Sequence, residues 1–154
     1  MTKATRRRAV TPPALMTFAR LPGWEDRLHA LVEERRHRPF AWGSHDCGLF
    51  AADSVLGTTG LDFMDGLRGH YDSALGATRI LQRHGCADIV DLVIARGFIG
   101  RQHVLDARRG DIVCAEGGAG LTLGVVCGAR FAWAGPDGLL FVSIDRATRA
   151  WRVG

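Results

Sequence analysis

The stretch FAWGSHDCGLFAADSVLG, Phe40 to Gly57, carries the reading on which the fold turns. From Cys47 onward, Leu49, Phe50, Ala52 and Val55 fall on one apolar face, so the spacing predicts a helix that begins near Asp46 or Cys47. Asp46 or Ser44 can cap its first turn, and Gly57 and Gly60 close it. This puts Cys47 at a helix N-terminus, where free backbone N–H groups and the helix dipole favour a thiolate. Two readings stay open from placement alone. Cys47 is a reactive nucleophile, or it is a small apolar residue at a helix end, since free cysteine is among the most buried residue types.

The pattern upstream of this stretch is helical. Trp24, Leu28, Leu31 and Val32 form one stripe, which predicts a helix from about Trp24 to about His37, ended by basic residues and Pro39. Downstream, helices are expected from about Ser73 to His84 and from about Ala87 to Arg96. After Gly97 the character changes. Ile112–Cys114, Leu121–Cys127, Phe131–Trp133, Leu139–Ile144 and the alternating Ala150–Val153 are short apolar runs separated by Gly-rich or Pro-Asp-Gly breaks. Such runs predict an antiparallel meander. Helices followed by strands define an α+β domain, with N-terminal helices packed on a C-terminal antiparallel sheet.

A length of 154 residues suits one domain, and a composition of 47% hydrophobic and 23% charged residues is that of a globular chain. The net charge of +4 is uneven, because Lys3, Arg6, Arg7, Arg8 and Arg20 lie in the first 20 residues with no acid among them. Residues 1–20 are therefore read as a basic arm, flexible or bound to a partner, and 21–154 as a single domain. The arginine run lacks interleaved aromatics, so nucleic acid is not the expected partner. Cys47, Cys86, Cys114 and Cys127 show no paired spacing, which argues against a structural zinc and a disulfide framework. No cofactor or metal is expected. No apolar run has the length of a membrane span, and the N-terminus lacks the apolar core of a signal peptide. Synthesis and folding in the cytoplasm are expected.

Trp42-Gly43-x-x-Asp46-Cys47-x-x-Phe50 resembles the nucleophile motif of the NlpC-type cell-wall cysteine peptidases, a papain-like family. Arg109-Gly110-Asp111-Ile112-Val113 is similar to their Gly-Asp turn, and Leu123-Gly124-Val125-Val126-Cys127-Gly128 to the strand after it. The resemblance covers about residues 24 to 145 and implies a papain-like fold with Cys47 facing the sheet. It also implies a catalytic histidine two residues before the glycine of that strand, where this chain has Thr122. A third, orienting polar residue belongs on the next strand, where the nearest match is Trp133. A threonine hydroxyl is no general base near neutral pH, and an indole N–H only donates. Thus the nucleophile position is kept and both partner positions are altered. His103, in the loop before the Gly-Asp turn, and His45, two residues before Cys47, are the candidate substitute bases.

Small divergent NlpC-like domains occur in tail modules of tailed phages and prophages. The resemblance therefore implies a structural tail-tip or tail-assembly component with a degenerate site, located in the virion and partnered by other tail subunits. The alternative is an active peptidase that degrades peptidoglycan: Cys47 attacks a stem-peptide amide, and a histidine from elsewhere serves as base. A cytoplasmic thiol hydrolase or transferase on a small acyl substrate is a third reading. The non-enzymatic reading is the expected one, because acyl transfer fails when both partners of the nucleophile are missing.

Overall fold

The computed structural model describes residues 14–118 and 120–154. Four α-helices come first: α1 (Trp24–Arg35), α2 (Cys47–Thr59), α3 (Ala74–Arg83) and α4 (Ile89–Ala95). Six strands follow: β1 (Ile99–Gly100), β2 (Ile112–Gly117), β3 (Gly120–Val126), β4 (Arg130–Gly135), β5 (Gly138–Ser143) and β6 (Arg149–Arg152). They form one antiparallel sheet in the order β1-β6-β2-β3-β4-β5. The α+β class and the helices-then-sheet order are as the sequence predicts.

Local chemistry sets the helix starts. Asp46 caps α2 by accepting from Leu49 N, Ser73 caps α3 from Gly76 N, and Asp88 caps α4 from Asp91 N. The Asp91 carboxylate in turn accepts from Ala87 N, the residue before the cap, at 2.8 Å. Helix α1 stops at Arg35, two residues short of the expected end. The Arg36 carbonyl is taken instead by Leu139 N at 2.9 Å, where β5 begins. Gly138 permits this approach, since a Cβ there would collide with that carbonyl.

Strands β2 to β5 form the expected meander. The last strand does not extend it: β6 returns to the other side of β2, pairing Ile112 with Trp151. Asp111 holds this return in place. It is 1% exposed and accepts from Val153 N at 3.1 Å, Arg108 N at 2.8 Å and Arg101 Nε at 2.9 Å.

The sheet divides two cores. Leu49, Phe50, Val55, Cys114, Leu123, Val125, Ala132 and Trp151 pack between its helical face and the helices. Val113, Ala115, Val126, Phe131 and Ala150 pack on the opposite face. That face is covered by residues of two short 3-10 helices, Val104–Asp106 and Ile144–Arg146. Helix α2 is the central helix, buried on most sides, and Ala51 and Ala52 let it lie close to the sheet.

The expected basic arm falls largely on residues 1–13, which lie outside the described residues. Residues 14–20 run along the body. Met16 N donates to Arg96 O at 2.8 Å, Phe18 stacks on Phe98 at 4.0 Å, and Arg20 Nε donates to Val153 O at 2.7 Å. The domain thus begins before residue 21. No helix among the described residues is long and apolar enough to cross a membrane.

Candidate functional site

The loop before α2 is shaped by Asp46. Ala41 and His45 bridge it through reciprocal backbone bonds of 3.0 and 2.8 Å. Gly43 takes a left-handed φ of 79° beside Tyr71, whose carbonyl would collide with any Cβ there. The Asp46 carboxylate, 2% exposed, then accepts three bonds: Leu49 N at 2.9 Å, Gly43 N at 3.0 Å and Tyr71 Oη at 2.6 Å. Burial, then the bond to Asp46, pushes the Tyr71 phenol well above its ordinary range, so it stays protonated and donates.

Cys47 follows as the first residue of α2, at the place its sequence context predicts. Its sulfur is approached by the backbone N–H groups of Leu123 and Gly48, both of which favour a thiolate. Burial opposes them and is the larger effect, with the Asp46 carboxylate adding to it, and the thiol is pushed up to about 11. The helix terminus alone would lower this value; desolvation against the sheet reverses the sign. At pH 7 about one molecule in ten thousand then carries a thiolate.

No imidazole compensates. His45 is wholly buried and turned toward α1, with Nδ1 accepting from Arg35 Nη1 at 3.3 Å and its ring edge-on to Phe50 at 5.9 Å. Burial, then Arg35 and Arg38, lowers its pKa and keeps the ring neutral. Arg35 itself pairs with Asp53 at 2.9 Å, and Asp53 with Arg68 at 2.8 Å, so His45 belongs to a packed polar network rather than to the thiol. His103 is exposed; its Nδ1 accepts from Leu105 N at 3.1 Å and caps the 3-10 helix on the far face of the sheet. Neither histidine is placed to take a proton from Cys47.

Thr122 and Trp133 stand on β3 and β4, but they do not face Cys47. Thr122, half-buried, pairs with Ala115, and Trp133 packs on Phe131 at 5.2 Å; Ala115 and Phe131 belong to the core on the opposite face. Strand periodicity sends Leu121, Leu123 and Val125 toward the helices instead. The positions that oppose Cys47 are therefore leucines.

A cleft of about 340 Å³ opens beside Cys47, between the 42–47 loop, α3, the start of α4 and β3. Its walls are mostly apolar, among them Trp42, Ala77, Ile80, Ile89 and Leu121, with Asp46, Tyr71, Thr78 and Asp88 as polar members. Among the described lining residues there is no histidine, lysine or arginine. No group of three or more His, Cys, Asp and Glu among the described residues is arranged to hold a metal ion. All four cysteines are free thiols. The cleft can hold an apolar group, but its described lining offers the sulfur no imidazole.

The chain belongs to the DUF6950 family. The match runs over residues 19–153 and its description is a domain of unknown function. It spans every helix and strand, the cleft and the Asp111 turn. No curated protein matches the chain.

Tyr71 is the member of this DUF6950 site that sequence reading missed. It is the single tyrosine of the chain, yet nothing local pairs it with Asp46, 25 residues earlier. In sequence His70-Tyr71-Asp72 reads first as a surface loop and second as a ligand contact, and neither reading gives the bond to Asp46.

Proposed function

We propose that this DUF6950 domain is a papain-like, NlpC-type domain without a working catalytic site, serving as a structural component of a phage tail tip or tail assembly. The plan of the chain supports this reading. The Trp42–Phe50 motif starts α2 against β3, and the Gly110-Asp111 turn leads into β2. The phage setting, with other tail subunits as partners and the virion as location, rests on the resemblance of those motifs. The observation that carries the non-catalytic part is the setting of Cys47: a thiol beside a cleft whose described lining contains no imidazole, with burial raising its pKa. Without an imidazole, the thiol lacks the general base that forms a thiolate near neutral pH and the acid that protonates the leaving amine.

The test is digestion of muropeptides by the wild type and Cys47→Ala under reducing conditions, read by mass spectrometry. The same products with both proteins are expected. Stem-peptide fragments made by the wild type alone would overturn the reading. The cleft opening on the sulfur favours a second reading, a peptidoglycan peptidase whose base comes from a partner subunit, and the same digestion with that partner added tests it.

A further inference from the structure

The sheet splits beside the cleft. Strand β3 pairs with β2 along six positions, from Gly117↔Gly120 to Ile112↔Val125, but with β4 only at Val125↔Ala132 and Val126↔Phe131. The hydrogen-bonding parity of β3 is fixed at its end. Val126 exchanges bonds with the 110–111 turn on the β2 side, whereas Cys127 N donates to Arg130 O on the β4 side. Backbone groups alternate along an antiparallel strand. Leu121 and Leu123 therefore point their N–H and C=O groups toward β4, where no strand among the described residues lies opposite them. Leu123 N–H is directed at the Cys47 sulfur, which agrees with this parity. Among the described residues the Leu121 N–H and C=O are left without a strand partner, and Leu121 is the exposed one of the two leucines. A free strand edge is a template for another extended chain.

The side chains beside this edge suit a peptide. Leu121 is 40% exposed and Trp42 36% exposed, and both line the cleft. A residue paired with Leu121 would direct its side chain to the same face, into the apolar space above Cys47. The charge around it is acidic. Asp88 lines the cleft, Glu116 pairs with Leu121 across the hairpin, and no basic side chain lines it among the described residues.

We propose that the cleft binds an extended segment of a partner protein, apolar at its centre and flanked by lysine or arginine, which adds as a short strand to β3 at Leu121, the exposed position of that edge. This rests on the non-catalytic reading of the same site, because the peptide is held and not cut. Strand addition of this kind would make the inherited nucleophile cleft a docking site.

The test titrates acetyl-Lys-Val-Leu-Val-Lys-amide into the 15N-labelled full chain and follows backbone amide shifts. Three comparisons accompany it: the same peptide with its central amides N-methylated, a version with glutamate in place of both lysines, and an acidic muropeptide. Leu121→Pro removes the outward N–H without touching the β2 ladder, and Leu121→Ala keeps it. Expected are shifts centred on Leu121 and Leu123, and a loss of about tenfold in affinity on N-methylation. Weaker binding of the glutamate peptide is also expected, as is loss of binding in a folded Leu121→Pro protein and only a partial loss in Leu121→Ala, which keeps the N–H but trims the apolar wall. Equal binding of the N-methylated peptide, tighter binding of the glutamate peptide or muropeptide, or no binding of the lysine peptide at millimolar concentration overturns the proposal. A cleaved peptide would instead overturn the non-catalytic reading, so the two failures are distinct.

Discussion

Removing the Asp46 carboxylate should destabilise the domain by about 3 kcal/mol. Its three bonds serve different ends. The bond from Leu49 N caps α2, and losing a cap costs about 1 kcal/mol. The bond from Gly43 N closes the loop before α2 and that from Tyr71 Oη ties it to the segment before α3, and losing each leaves a donor stranded in partly buried surroundings, at about 1 kcal/mol apiece. Asp46→Ala loses all three. Asp46→Asn keeps an oxygen for the cap, and Tyr71 Oη can turn to accept from the new amide, which leaves only Gly43 N unpaired; a loss of about 1 kcal/mol follows. Urea unfolding at constant m separates these cases. Combining Asp46→Ala with Tyr71→Phe should cost less than the two single losses added, because both remove one bond. A loss under about 1 kcal/mol for Asp46→Ala, or full additivity with Tyr71→Phe, would refute the assignment of Asp46 as the organiser of the loop.

Asp111→Ala should cost about 3 kcal/mol or more in the same assay, since it leaves Arg101 without its carboxylate and frees Val153 N, the anchor of β6. The raised thiol of Cys47 also makes stability depend on pH. Between the ordinary cysteine value and about 11 the folded state keeps a proton that the unfolded chain has lost, so stability falls as pH rises through that window. The wild type should lose about 2 to 3 kcal/mol more than Cys47→Ala across it; parallel profiles for the two proteins would show that Cys47 is not desolvated.

Much of the fold is legible because it is local. The Trp24–Val32 stripe gives α1, and Asp46, Ser73 and Asp88 mark the starts of α2, α3 and α4 through bonds to backbone N–H groups a few residues on. What escapes is set by distant partners. The end of α1 depends on Leu139 N, and β6 reaches β2 because Asp111 catches Val153 N. The two-residue β1 exists only as a partner of β6. The site shows the same division. Cys47 sits where its motif puts it. The facing of β3 does not follow from the motif, because a shift of one residue sends a side chain to the other face. The alternating Leu121, Leu123 and Val125 carried that signal, and Thr122 stands between two of them. The roles of His45 and Tyr71 depend on Arg35 and Asp46, contacts made only in the folded chain.

The most direct measurement is the rate at which iodoacetamide alkylates Cys47 as a function of pH, with peptide mapping to separate it from Cys86, Cys114 and Cys127. A half-buried thiol without an imidazole gives a rate that rises about tenfold per pH unit from about pH 6 to about pH 9, with its half-point near 11. A plateau reached below pH 7 would reveal a thiolate stabilised by an imidazole, and would contradict the non-catalytic site.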